Sequence, residues 1–322
     1  MNIPKKPAFV NFIAVALCFV FALSSCNTAS TVVPTTPAAN PLDPPAAGTG
    51  FQVTSGTFDV AQNFEREIFI YRDLGNTDPI YINHIHSKML PNSHHMVMYL
   101  FDPSTPAMDL PAFNTLRDLR NPDGTYNNIT ENQMQWHLFL GGSMVSEDDY
   151  NFPSGVALKL PAHAGIDVNT HFVNEVASTG TIQGACFANL YTVAASAVQH
   201  EAQTIFQSKT NITLLPHKQT VVSDSIINPY PYAASIFTLT SHCHARGLKF
   251  QIYITGGPRN GELIYESRDW SHPAVKTYDP PIIVNLHEGL RSVVTYENNT
   301  DNVIQYGLKS TDEMDIIYGY FY

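Results

Sequence analysis

The sequence predicts an all-β fold, and three observations support this. Apolar residues alternate with polar ones in short runs, turn-forming residues separate these runs, and no long segment repeats its apolar residues every 3.6 positions. The turn formers include Pro91-Asn92-Ser93, Asn121-Pro122-Asp123-Gly124 and Thr255-Gly256-Gly257-Pro258. Their spacing is typical of β-sandwiches.

Strands are predicted wherever the alternation is clear. The predicted strands cover residues 68–71, 79–82, 96–101, 156–160, 185–193, 235–239, 250–254, 282–286, 292–296 and 316–322. Residues 194–207 fit either a short helix or another strand. The span from Glu201 to Tyr232 contains Pro216 and Asn228-Pro229-Tyr230-Pro231, so we expect it to be less structured and to divide the β region into unequal halves.

The N-terminus predicts export and a lipid anchor. Basic residues precede an apolar run from Phe12 to Leu23, which is too short to span a membrane and indicates a secretory signal over residues 1–25. The ending Leu23-Ser24-Ser25-Cys26 resembles a bacterial lipobox, which implies lipidation of Cys26; an ordinary signal peptide is the alternative. Asn27 follows in place of a retention-type Asp, so we expect the outer membrane of a Gram-negative bacterium, in either leaflet.

The rest of the chain divides into a tether and two folded parts. Residues 26–50 are rich in Thr, Ala, Pro and Gly and are predicted to be disordered. The folded region begins near Phe51, and its length suits one large or two medium domains. We expect two domains, residues 51–205 and 206–322, in a monomer.

Composition excludes some partners. The net charge is −11, and no Lys/Arg cluster lies outside the signal, which argues against nucleic acid or an anionic surface. Cys186 and Cys243 remain besides Cys26 in the mature chain. Two cysteines do not make a disulfide framework, so we expect two buried thiols.

One candidate metal site lies in the C-terminal half. His242 and His244 are two residues apart in a predicted strand, so both side chains point to one face about 6 to 7 Å apart. Met314 follows the acidic pair Asp312-Glu313 near the C-terminus. A thioether beside two imidazoles suits Cu(I). The alternative is that Met314 only fills the core.

A second candidate site lies in the N-terminal half. His94 and His95 are adjacent at a strand start, where only a strand entry or a bulge lets both bind one metal. His171 is a plausible third ligand, although a lone strand histidine is also read as a satisfied polar residue. Three imidazoles suit Cu or Zn about equally. His84 and His86 are interpreted as partners that bond to the metal ligands or as surface residues, and the remaining histidines are interpreted as structural.

With these stretches side by side, the chain resembles the copper type II, ascorbate-dependent monooxygenases, the family of peptidylglycine α-hydroxylating and dopamine β-monooxygenases. Four motifs carry the resemblance in chain order: Ser93-His94-His95-Met96, Thr170-His171-Phe172, His242-Cys243-His244 and Thr311-Asp312-Glu313-Met314. It covers roughly residues 51–322.

The resemblance implies two jelly-roll-like sandwiches, with a copper site on each, facing a solvent-filled cleft. His94, His95 and His171 would hold the electron-storing copper. The catalytic copper, which binds O2 and substrate, would be held by His242, His244 and Met314. The implied cofactors are two coppers per chain, and the reductant is ascorbate or another one-electron donor.

The substrate is left open by departures from the family. Thr240 and Ile316 stand where the peptide-amidating enzymes have Arg and Asn, whereas Tyr318 matches the family's Tyr that binds the substrate carboxylate. The partner is therefore a small-molecule or peptide-like substrate of unknown identity. We expect a copper-dependent monooxygenase that hydroxylates a C–H bond with O2. The alternatives are a non-catalytic copper-binding or copper-delivery lipoprotein, and a zinc hydrolase that uses the three-histidine site.

Overall fold

A computed structural model describes residues 40–175 and 180–322 of the chain. The predicted signal peptide and Cys26 lie outside the described residues. Regular structure within them is nearly all strand, with one short α-helix, α1 (Asn128–Met134), and one 3₁₀ turn (Ala195–Ala197). The all-β prediction is confirmed. None of the described helices is long and apolar enough to cross a membrane.

The strands are numbered in chain order. The first twelve are β1 (Gly50–Thr54), β2 (Phe58–Val60), β3 (Phe64–Asp73), β4 (Ile80–Met89), β5 (Ser93–Phe101), β6 (Leu116–Asp118), β7 (His137–Ser143), β8 (Glu147–Asn151), β9 (Val156–Leu160), β10 (Gly165–Asn174), β11 (Ile182–Gly184) and β12 (Cys186–Val193). The others are β13 (His200–Ser208), β14 (Thr213–Leu214), β15 (Lys218–Ile227), β16 (Ala234–His242), β17 (Gly247–Thr255), β18 (Leu263–Ser267), β19 (Lys276–Val284), β20 (Gly289–Asn298), β21 (Ile304–Gln305) and β22 (Ile316–Phe321).

One nine-stranded sheet runs through both halves of the chain. Its order is β1-β12-β4-β9-β13-β22-β16-β19, and β8 also pairs with β4. A five-stranded sheet, β6-β3-β10-β5-β7, belongs to the N-terminal half, and a four-stranded sheet, β15-β20-β17-β18, belongs to the C-terminal half. Two short two-stranded sheets, β2-β11 and β14-β21, complete the fold.

Two hydrophobic cores hold these sheets together. The N-terminal core includes Ile85 and Leu190 of the nine-stranded sheet and Met96 and Val168 of the five-stranded sheet. The C-terminal core joins Leu239 and Ile317 of the nine-stranded sheet to the four-stranded sheet. Each half is thus a two-layer, jelly-roll-like sandwich. Cys186 and Cys243 are free and buried, one in each core, as predicted.

The prediction of a less structured span from Glu201 to Tyr232 is wrong. This span includes most of β13 and all of β14 and β15. Strand β15 was missed because one of its faces lies in solvent, and its residues are polar or only partly buried. The predicted domain boundary between residues 205 and 206 falls inside β13, which pairs with β9 at one end and with β22 along the rest.

Part of the predicted tether belongs to the fold. Leu42 is buried in a small cluster with Ala185 and Phe187. The Gln52 side chain donates a hydrogen bond to the Leu42 carbonyl at 2.8 Å. Leu42 is a large apolar side chain in a stretch that is otherwise poor in them, and burying it stabilises the packed arrangement.

Candidate metal centre

A β-bulge brings two neighbouring histidines together at the start of β5. His95 pairs with His171 of β10, but the next residue of β10, Phe172, pairs with Ser93, so His94 is the extra residue. The Nδ1 atoms of His94 and His95 lie 3.2 Å apart. The bulge that the sequence required for shared ligation is therefore present.

His171 completes a group of three imidazoles. Its ring centroid lies 5.0 Å from that of His94 and 5.2 Å from that of His95. One nitrogen from each of the three residues can be chosen so that all lie within 4.8 Å of one another. This spacing suits a single metal ion.

The C-terminal pair lies at the end of β16. The ring centroids of His242 and His244 are 5.0 Å apart, and the two residues are 4% and 3% exposed. His242 pairs with Ile316 of β22, and continuing that register would set Met314 opposite His244. Met314 is 8% exposed and belongs to neither of the two main hydrophobic clusters formed by the described residues.

All five imidazoles form one cluster, which differs from the separated sites that the resemblance implied. The ring of His94 lies 6.1 Å from that of His242 and 6.0 Å from that of His244, and His95 lies 6.5 Å from His242. The expectation of a solvent-filled cleft between the two ligand sets is therefore wrong in this structure. The two ligand sets meet because His242 lies on the face of β16 that points away from the C-terminal core. Thr238 and Thr240 of the same face lie beside Met96 and Val97 of the N-terminal half.

Burial keeps several of these imidazoles neutral. Burial and neighbouring imidazoles lower the pKa of His94 to about 2 and that of His242 well below its usual range. Burial also lowers the pKa of His244 to about 4, although a hydrogen bond to Asp312 acts in the opposite direction. Neutral imidazole is the form that binds metals, so these nitrogens need not lose a proton before they coordinate.

Hydrogen bonds fix the orientation of two rings. His95 Nε2 lies 2.9 Å from the side-chain oxygen of Asn169, and His244 Nδ1 lies 3.0 Å from the Asp312 carbonyl. Each ring nitrogen acts as a donor there, because its partner is an acceptor. The opposite nitrogen of each ring, His95 Nδ1 and His244 Nε2, then has a free lone pair for a metal.

Two other ring nitrogens have no hydrogen-bond partner among the described residues. His242 Nδ1 is buried without one, and His171 Nε2 lies 2.9 Å from Glu65 Oε1 but lacks hydrogen-bond geometry. A buried polar atom without a partner costs free energy unless something else binds it. Together with the close approach of the His94 and His95 nitrogens, this donor set fits an imidazole-binding metal such as copper or zinc.

Carboxylates beside the N-terminal imidazoles add negative charge. Arg120 contacts both Glu65 and Glu67, at 3.2 and 3.4 Å, so two carboxylates share one guanidinium. Burial would raise the pKa of Glu67, but the neighbouring His95, 3.6 Å away, and the charges of His171 and Arg120 outweigh this and bring it to about 2. Two carboxylates beside the imidazoles favour a bound cation there.

A buried carboxylate organises the C-terminal ligands. Glu313 is fully buried, and it accepts the backbone N–H groups of His244 at 3.0 Å and Arg246 at 2.9 Å. Burial raises the pKa of Glu313 to about 7. The Tyr296 hydroxyl donates to the Met314 carbonyl. These bonds tie the segment that carries Met314 to the end of β16.

The other predicted residues lie in different surroundings. Tyr318 lines an apolar pocket on the same face of the sheet as His242. His84 and His86 pair with Asp149 and Glu147 of β8, so they are surface residues with carboxylate partners.

Sequence reasoning missed a buried polar network on the five-stranded sheet. Asp167, fully buried, accepts a hydrogen bond from His137 Nε2 at 2.8 Å and also contacts Arg117. Asp167, Asn169 and His171 occupy one face of β10. Their alternation in the sequence was the available signal that this face is polar although it is buried.

Comparisons with known proteins add little to this geometry. Neither a protein-family model nor a curated protein matches the chain. Among solved structures, the chain is similar to the major capsid protein P2 from bacteriophage PM2 at 10% identity, with a TM-score of 0.29, over 84% of this chain and 97% of that one. It is also similar to a chain in the structure of Sulfolobus turreted icosahedral virus at 10% identity, with a TM-score of 0.25, over 83% of this chain and 59% of that one.

Proposed function

We propose that this protein is a copper-dependent monooxygenase that hydroxylates a C–H bond of its substrate with O2 and a reductant such as ascorbate. The convergence of five imidazoles from both halves of the chain carries the proposal. The ordered family motifs support it, as does the buried Met314, which directly follows the two residues that bond to His244. Copper, when bound, supplies the one-electron chemistry that activates O2.

The residues of the chain have distinct tasks in this proposal. His94, His95 and His171 would hold one copper, and His242, His244 and Met314 would hold the other. Two imidazoles and a thioether leave coordination positions open and favour Cu(I) through the soft sulfur. Asn169 and Asp312 hold the rings of His95 and His244 in the orientation that presents a lone pair.

A copper-binding protein without turnover is the second candidate, and burial favours it. His171, His242 and His244 are 1%, 4% and 3% exposed, which suits retention of a metal more than access of a substrate to it. The two candidates differ in what they do with O2. A carrier binds copper, but it does not consume O2 in a sustained, substrate-coupled reaction.

The test combines metal content with turnover. We expect about two coppers per chain after loading, and O2 uptake that requires copper and ascorbate and increases when a substrate is present. Loading with zinc instead should abolish O2 uptake, because Zn²⁺ has no redox chemistry. Copper binding without substrate-dependent O2 uptake, across a panel of C–H substrates, would favour the carrier.

A further inference from the structure

An apolar pocket lies on the same face of the sheet as His242. Thr240 and His242 alternate on β16, and their partners on β22 are Tyr318 and Ile316, so all four side chains are on one face of the sheet. Thr240 and Tyr318 line the pocket. Alternate residues of a strand are about 6 to 7 Å apart, so the part of the pocket that Thr240 lines is one strand repeat from His242.

The described lining of this pocket is largely apolar and contains no cationic side chain. Side chains from β5, β7 and the turn that follows β7 form much of the wall, namely Met96, Val97, Phe139, Met144 and Val145. Among the described lining residues none is Lys or Arg, and only Asp148 is acidic. An anion in this pocket would lose its hydration without gaining a charged partner, and Asp148 would repel it.

We propose that this pocket holds the substrate, and that the substrate is a small, largely apolar molecule without negative charge. This inference rests on the proposed oxygenase function and specifies its substrate class. A molecule seated beside Thr240 lies one strand repeat from His242. Val275 is 40% exposed and lies opposite Thr240 when the register of β16 and β19 is continued, so it forms the rim of the pocket there.

One hydroxyl in the lining is available to a polar group of the substrate. Thr240 Oγ1 is buried without a hydrogen-bond partner among the described residues. It lies near the Tyr265 hydroxyl but outside hydrogen-bond geometry, and that hydroxyl donates to the Ala274 carbonyl at 2.8 Å. A substrate hydroxyl or carbonyl would satisfy Thr240.

The test uses two probes of similar size and different charge on the metal-free protein. We expect benzyl alcohol to bind at least about tenfold more tightly than benzoate in a titration followed by ligand-observed NMR, because a buried, unpaired carboxylate is costly. Val275→Phe should narrow the rim and abolish binding of benzyl alcohol. Val303→Phe is the matched control, because Val303 is 49% exposed and lies outside the lining.

A second variant covers the case in which Val275→Phe fails to fold. Thr240→Val keeps the shape of the side chain and removes its hydroxyl. It should lower the affinity for benzyl alcohol about fivefold and leave the affinity for toluene unchanged. Benzoate binding as tightly as the alcohol, or unchanged affinity in both variants, would overturn the pocket assignment. Because no metal is present, these results are independent of O2 uptake: binding without turnover would instead overturn the proposed function.

Discussion

The Nδ1 atoms of His94 and His95 face each other at 3.2 Å across a β-bulge, although neighbouring side chains on a regular strand point to opposite faces. Two imidazole nitrogens this close share either a proton or a metal ion. The bulge thus converts an ordinary pair of adjacent residues into a bidentate unit, to which His171 on the paired strand adds a third donor.

The closeness of the two ligand sets predicts magnetic coupling between bound Cu(II) ions. Rings of the two sets are only 6.0 to 6.5 Å apart, so two ions held by them are near enough for their spins to interact. We expect the EPR spin count to fall below the copper content measured on the same sample. His171→Ala should lower the copper content and restore the signal per copper. A full, unbroadened signal from two coppers would show that the sets are farther apart than in this structure.

Asn169 should control metal affinity without touching the metal. Its side chain fixes the ring of His95, and loss of such a partner typically costs about 10- to 100-fold in affinity. We expect Asn169→Ala to lower the affinity for copper by that amount in a competition titration. Asn189→Ala is the matched control: Asn189 is also fully buried in a strand, but it bonds to Gln52 and to the Asp43 carbonyl. Equal losses in both variants would assign the effect to general destabilisation.

Removing the Glu313 carboxylate should destabilise the fold. In Glu313→Ala the backbone N–H groups of His244 and Arg246 lose their acceptor in a buried place, which should cost about 2 to 4 kcal/mol of unfolding free energy. Glu313→Gln keeps one oxygen acceptor and should lose less. The measurement is urea unfolding of the metal-free protein. Glu262→Ala, which removes a carboxylate of a surface pair with Arg259, should have no measurable effect. A Glu313→Ala variant as stable as the parent would contradict the proposed anchoring role.

Met314→Ile should separate copper binding from oxygen chemistry. The two imidazoles of His242 and His244 should retain Cu(II) with modest loss of affinity, whereas a soft donor that would stabilise Cu(I) is removed. We expect turnover to fall by orders of magnitude and the sulfur contribution to the Cu(I) X-ray absorption spectrum to disappear. Met98→Ile is the control, because Met98 is a core methionine that is 1% exposed. Near-parental turnover in Met314→Ile would identify Met314 as core filler.

The local features of this protein could be predicted from its sequence, and the relation between its halves could not. Alternation located the main strands, and the adjacent His94 and His95 required a bulge that the structure contains. Strand β15 escaped detection because exposed strands need few apolar residues. The distance between the two ligand sets depends on how β9 pairs with β13 and on which face of β16 meets the N-terminal half. Such long-range pairings leave no local pattern.

The order in which the cluster is built has a consequence for the maturation of the protein. Its first imidazoles belong to β5, and Met314 immediately precedes the last strand, β22, which lies between β13 and β16 in the sheet. These pairings of β22 with β13 and β16 join residues that are far apart in sequence, and such long-range pairing is intrinsically slow. A chain in which β22 has not yet paired does not present the complete donor set. Under the proposed function, the metal centre would be complete only after β22 has joined the sheet.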